Sequence, residues 1–317
     1  MTFTPSEHHL PESKAYSSPV PREFVHKAAH AEVLLTGWRQ CGESEFEVGA
    51  QWPRDHGFWR TDSEGVQDPM LLVETTRQAL PMISHAAYGV PRDHALIWDH
   101  HHCAFAAPLV EVTERPAEVL LQLSASQAPA DTGRLRNLSL KMTISSQGRP
   151  LGTARTVFSA LSPEVYTRLR GPRFALPSEA MAAALDPPAP VEPALVGRES
   201  RREVVLAPTG DKGRWQLRVL TSSPWLFDHP VDHLPGMLLM EAARQCGRLS
   251  APGRQLHLVR LDAEFERYVE LDAPSWIEAE RVSAPVGEHH VKVSVTQHGQ
   301  QAFTAVVGFA GEACLDT

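Results

Sequence analysis

The stretch MLLVETTRQA, Met70 to Ala79, recurs as MLLMEAARQC, Met237 to Cys246, with Met, Leu, Leu, Glu, Arg and Gln in matching places. Few features constrain a fold as strongly as a segment written twice, because each copy must find the same surroundings. The flanking elements repeat in the same order. EVLLTGW (Glu32 to Trp38) has its counterpart in EVVLAPT (Glu203 to Thr209), and EFEVGAQW (Glu45 to Trp52) in WQLRVLTS (Trp215 to Ser222). After the repeated segment come HALIWDHHHCAF (His94 to Phe105) and QLHLVRLDAEF (Gln255 to Phe265). Each half closes with two alternating runs around a turn, at Gln147-Gly148 and at His298-Gly299. Such Val-, Thr- and Phe-rich runs about a glycine turn are strand pairs.

The repeated segment itself is apolar nearly all round, so it predicts a helix that is buried rather than laid on a surface. Asp68-Pro69 offers a cap and a first-turn proline to the first copy, and Pro235-Gly236 ends a loop ahead of the second. One buried helix wrapped by five or six mostly antiparallel strands resembles the hotdog arrangement. The expected class is therefore α+β, a tandem hotdog. FALPSEAMAAALDPPAPVEPALVGRES, Phe174 to Ser200, is rich in Ala and Pro without a sustained period and reads as a linker. The expected division is a disordered leader over residues 1–22, a first domain over 23–173, the linker over 174–200, and a second domain over 201–317.

With 317 residues the chain can bury two cores of ordinary size. No window approaches the ~20 uninterrupted apolar residues of a membrane span. The first residues lack a basic start followed by an apolar core, so no secretory signal is read there. A cytoplasmic protein is expected. Its four cysteines, Cys41, Cys103, Cys246 and Cys314, show no paired spacing and read as reduced thiols. The net charge of −8 argues against nucleic acid as a partner. Two basic clusters stand out locally, Arg168, Arg170 and Arg173, then Arg198, Arg201 and Arg202. They read as solvated faces or as a landing site for an acidic partner.

Glu74, Arg77 and Gln78 fall at i, i+3 and i+4 of the first helix, on one stripe. Glu241, Arg244 and Gln245 repeat the stripe in the second. Charges on a buried helix cost several kcal/mol unless paired. One reading is an intrahelical pair that only satisfies itself. The other, favoured because both copies keep the stripe where leucine would cost nothing, is a general base beside an anion clamp.

The second copy carries more. FDHPVDHLPGMLLMEAARQC puts His229, Asp232 and His233 ahead of Gly236 and its helix. This segment resembles that of hotdog acyl-thioester dehydratases, with a shorter spacing from His229 to Glu241. Taken with VHKAAHAEVLLTGW, FEVGAQWPRDHGFW and DPMLLVETTRQA, it makes the chain similar, from Val25 to about Phe309, to the A-factor biosynthesis (AfsA-type) hotdog family. The resemblance implies an acyltransferase. Its members move a β-ketoacyl group from an acyl-carrier-protein thioester to a hydroxyl of dihydroxyacetone phosphate, opening the synthesis of γ-butyrolactone-type signalling molecules. It also implies that Glu74, Arg77, Glu241 and Arg244 are catalytic. His229, Asp232, His233, Gly236, Gln78 and Gln245 would contact substrate. Neither metal nor redox cofactor is required, nucleic acid and membrane are not partners, and a homodimer is compatible with the reading. Because only the second copy has the histidine loop, the two sites are expected to be unequal. The competing classes are a dehydratase, hydratase or thioesterase on acyl thioesters, and a non-catalytic binder of acyl chains or lactones.

Three other signals carry less. In a strand, DHHHC (Asp99 to Cys103) sends His100 and His102 to one face and His101 and Cys103 to the other, which argues against a shared metal. Cys246 reads as core packing, and His289-His290 as a surface pair. His26 and His30 find nothing else to join them.

Overall fold

The computed structural model describes residues 18–62, 64–106, 109–127, 137–251 and 256–311. The first repeat reads β1 (Leu35–Gln40), β2 (Glu45–Trp52), α1 (Met70–Ala86), β3 (Ala95–Phe105), β4 (Ala117–Gln127), β5 (Asn137–Ser146) and β6 (Arg149–Leu161). Two short helices follow, α2 (Pro163–Arg170) and α3 (Pro177–Ala182). The second repeat reads β7 (Leu206–Pro208), β8 (Arg214–Leu217), α4 (Gly236–Leu249), β9 (Leu256–Phe265), β10 (Ser275–Val282), β11 (Glu288–Gln297) and β12 (Gln300–Gly311). Among the described residues each repeat is thus two strands, one long helix and four strands. The duplication is structural.

The chain groups into two compact units, residues 1–94 with 109–155, and residues 95–108 with 156–317. In the first, β1, β2, β4 and β5 lie side by side and antiparallel, with β6 next. α1 packs against this sheet and is buried from Met70 to His85 at all but Arg77. Trp52 on β2 is fully buried, and its Nε1 donates to Thr75 Oγ1 at 2.8 Å, fixing the helix to the strand. Pro81 sits inside α1 without ending it. In the second unit the strand order is β3-β9-β12-β11-β10-β8-β7, every pair antiparallel. α4 is buried from Met237 to Gly247. Gly247 is needed there, because a Cβ would stand 2.4 Å from the Phe309 ring of β12. One buried helix against an antiparallel sheet, written twice, is the tandem hotdog fold.

Both hairpin turns form as the sequence predicts. Gln147 and Gly148 have φ of 48° and 76°, and His298 and Gly299 have 53° and 73°. Two successive left-handed residues make the turn whose twist matches the flanking strands.

Several boundaries differ from the sequence reading. β3 belongs with the second unit because it pairs with β9, His100 opposite Glu264 through Ala104 opposite Arg260. The second unit is therefore more than the contiguous stretch 201–317. The end of the expected linker also packs into it: Val191, Val196 and Arg198 are buried, and Val191 N–H donates to Leu206 O. Proline-rich composition conceals this, since the segment forms its contacts with few regular bonds. β8 stops at Leu217 rather than running to Ser222. Arg218 instead turns inward and donates to the carbonyls of Pro188, Arg201 and Val204. The expected leader falls mostly on residues 1–17, outside the described residues. Packing begins at Val20, which is buried with its N–H bonded to Leu35 O.

The histidines behave unequally. His289 is buried and its Nε2 lies 2.5 Å from Ser250 Oγ at the end of α4, so it is a core group and not a surface one. His290 sits 2.6 Å from Glu288. His26 meets His85 Nε2 to Nε2 at 2.8 Å, a partner that sequence spacing did not suggest. In DHHHC the faces alternate as expected. His100 bonds Asp262 at 2.7 Å, whereas His101 is buried beside Cys103 and held neutral, burial pushing its pKa down to about 3. Among the described cysteines Cys41 is exposed, while Cys103 and Cys246 are buried; all three are free thiols. Cys314 lies outside the described residues.

Candidate functional site

The polar stripe of α1 is tied to the chain that precedes β1. Glu74 is 2% exposed, and Arg77 donates to both of its oxygens at 2.8 Å. Lys27 Nζ and Gln78 Nε2 reach the same carboxylate at 3.1 and 2.9 Å. Gln78 closes the arrangement by accepting from Leu34 N–H and donating to Glu32 O. Burial alone would raise the pKa of Glu74, but Arg77 and Lys27 together with the hydrogen bonds hold it down at about 2. The sign follows from linkage. The stabilisation from this carboxylate is complete above its ordinary value of 4.5 and is lost as pH falls from there through about 2. In urea titrations, the stability gap between wild type and Glu74→Gln should accordingly shrink over that window. A gap that is constant from pH 6 to about pH 2 would contradict the pairing.

The second copy repeats the plan with one change of residue. Glu241 is fully buried; its Oε1 accepts from Arg198 Nη2 and from Gln245 Nε2, both at 2.7 Å. Gln245 accepts from Val205 N–H and donates to Glu203 O, the counterparts of Leu34 and Glu32. Arg198 stands where Lys27 stands, at the same interval before the first strand of its repeat. It is therefore neither solvated nor part of a landing site. The two glutamates differ in detail. Arg77 is aligned with both Glu74 oxygens, whereas Arg244 Nη2 lies 2.7 Å from Glu241 Oε2 without hydrogen-bond alignment. The signal for Lys27 and Arg198 was present in the sequence. VHKAAHAEVLL superposes on VGRESRREVVL residue for residue, once the repeat is carried back into the expected linker.

The helix entrances differ more. Asp68 Oδ1 accepts from Met70 N–H at 2.8 Å and occupies the start of α1. α4 begins after Pro235 with no side-chain cap, and its first residue, Gly236, lies against Trp98 and Phe265. Unsatisfied first-turn amides and the helix dipole favour a negative charge at such an end.

Ahead of α4, Asp232 and His233 come together and His229 does not join them. His233 Nδ1 lies 2.7 Å from Asp232 Oδ1, and Tyr166 of α2 donates to Asp232 Oδ2 at 2.5 Å. Burial would raise the Asp232 pKa, but the bonds from His233 and Tyr166 and the charge of Arg170 bring it down to about 2. Burial, with Asp232 beside it, pushes the Tyr166 phenol well up. Arg170 donates to both Glu270 oxygens at 2.8 Å and stacks over the Tyr268 ring at 4.5 Å. So Arg170 is also buried, and the solvated reading holds only for Arg168, Arg173, Arg201 and Arg202. His229 is exposed, 3.5 Å from Asp228. The sequence singles out Arg170 only as one of a basic cluster, and it does not point to Tyr166 or Tyr268, which lie outside both copies of the helix.

A buried, charge-striped helix in each of two hotdogs, one with an uncapped entrance beside a histidine loop, places the chain in the tandem-hotdog class. The family model of the A-factor biosynthesis hotdog domain matches residues 9–162 and 180–310. This chain belongs to that family. It is 41% identical over 94% of its length, and 99% of the other, to a 2-oxo-3-(phosphooxy)propyl 3-oxoalkanoate synthase of Streptomyces virginiae. A protein of the same name from Streptomyces coelicolor is 35% identical, over 90% of each chain. Among solved structures, an acyl-ACP thioesterase from Bacteroides thetaiotaomicron is similar at a TM-score of 0.48 and 14% identity, covering 83% of this chain and 97% of that one.

Proposed function

We propose that the protein is an acyltransferase that joins a 3-oxoacyl group to dihydroxyacetone phosphate, giving a 2-oxo-3-(phosphooxy)propyl 3-oxoalkanoate. In this reaction the acceptor hydroxyl attacks the thioester carbon, a C–O bond replaces the C–S bond, and the carrier leaves as a thiol. No atom changes oxidation state, so the chemistry calls for no redox cofactor. The donor on this reading is an acyl carrier protein in the cytoplasm. The full-length likeness to synthases named for that product carries the proposal.

The second copy is the productive one. Thioester attack builds negative charge on the carbonyl oxygen, and the uncapped first turn of α4 at Gly236 offers amides to it. In the first copy Asp68 already fills that position. Arg244, 5% exposed and 2.7 Å from Glu241, frames the helix with it. Glu241 is sealed and shared between Arg198, Arg244 and Gln245, which favours a framing role for it. Purified protein given a β-ketoacyl carrier thioester and dihydroxyacetone phosphate should yield the phosphorylated ester by mass spectrometry. Free acid alone would make it a thioesterase, and loss of water from a β-hydroxyacyl thioester a dehydratase.

A further inference from the structure

Acyl transfer to a hydroxyl needs a group that takes the hydroxyl proton, and the helix glutamates are poorly disposed to do so. Glu74 has both oxygens bonded to cations, and Glu241 is closed to solvent. We infer that His233 is the proton acceptor of the reaction, with Asp232 and Tyr166 as its positioning residues; the inference rests on the acyl-transfer reading.

The geometry is that of an oriented base. With Asp232 held as a carboxylate, His233 Nδ1 is the donor in their 2.7 Å bond, which leaves Nε2 as the ring nitrogen that can take up a proton. His233 Nε2 meets no partner among the described residues, and a third of the side chain is exposed. Tyr166 holds the second Asp232 oxygen, and Arg170 Nε stands 3.4 Å from the same oxygen. Arg170 Nη2 also donates to the Asp232 carbonyl, while its bidentate bond to Glu270 prevents it from swinging away. The Tyr268 ring meets His233 edge-on at a centroid distance of 4.7 Å. A base locked by a carboxylate through one nitrogen, with the other presented outward, is the working half of the triad arrangement. It stands three residues ahead of Gly236, where the amides of α4 begin.

The protons balance. The hydroxyl proton passes to Nε2 as the C–O bond forms. When the C–S bond breaks, Nε2 passes that proton to the departing thiolate, leaving ester, thiol and the base as it began.

His233→Gln should lower kcat by about 10²–10⁴ with little change in KM for the thioester. The acid limb of the wild-type kcat/KM profile should vanish, and imidazole should restore part of the rate. Tyr166→Phe keeps the ring but frees one Asp232 oxygen, whose fuller charge favours the imidazolium. Its acid limb should therefore move to higher pH, a shift that a merely structural tyrosine would not cause. A His233→Gln protein that retains the wild-type rate and acid limb overturns the assignment. If that variant fails to fold, an unmoved limb in Tyr166→Phe overturns it instead. A wild type that forms no ester at all removes the acyl-transfer reading, and this inference with it.

Discussion

Glu241→Gln is expected to lower the stability of the folded protein by roughly 3–5 kcal/mol and to remove ester formation. Glutamine matches the shape of glutamate, so the change deletes charge and little else. It leaves two guanidiniums, Arg198 and Arg244, in a closed interior from which the shared carboxylate has gone. The arginine segment before β7 would lose its anchor to α4 at the same stroke. Denaturant unfolding reads the first effect, and product mass spectrometry at a temperature where the variant is folded reads the second. Glu74→Gln should destabilise comparably, because Lys27 and Arg77 are left in the same way. Its activity should fall only in part, since the first copy has its helix entrance occupied by Asp68. Equal loss of activity from both substitutions, or none from either, would refute the division between the copies.

The second large effect is expected at the helix entrance. A Cβ at Gly236 would sit 2.7 Å from two atoms of the Trp98 ring and 3.1 Å from Phe265. Trp98 cannot retreat freely, because its ring stacks on both His101 and Phe265 at centroid distances of 5.1 and 5.2 Å. Gly236→Ala should therefore displace the first turn of α4 and destabilise the protein by about 1–3 kcal/mol. Displacing oxyanion donors typically lowers kcat by about 10²–10³. The pair of measurements separates the two consequences. If the variant is destabilised yet turns over at the wild-type rate, the amides near Gly236 do not hold the thioester oxygen.

Much of this architecture was legible in the sequence because it depends on local pattern. The helix pair follows from the repeated apolar run, β2 from strict alternation over Glu45–Trp52, and the hairpins from Gln-Gly and His-Gly between alternating strands. The stripes Glu74–Arg77–Gln78 and Glu241–Arg244–Gln245 likewise meet as helical spacing requires. What escaped were partners brought together by the tertiary fold. Nothing in the composition of Arg198 or Arg170 distinguishes a buried arginine from a solvated one; only its acid does, and Glu241 and Glu270 are distant in sequence. Tyr166 reaches Asp232 through a short helix that begins at Ser162-Pro163, a capping signal that the sequence carries just ahead of the linker. Helix periodicity could place Glu241, and it could not say that Arg198 covers it.

The pairing of β3 with β9 bears on what the second repeat could do alone. The second repeat supplies six strands of its own, β7 to β12, and β9 stands at one end of their order. Here the strand that borders β9 is encoded in the first repeat, before the segment that joins the two. A polypeptide starting after residue 173 would lack that neighbour and would present the backbone N–H and C=O groups of β9 as a bare edge, with Leu261 and Ala263 uncovered on one side. Such an edge is a ready template for another strand, so a separated second repeat is expected to associate with itself through β9.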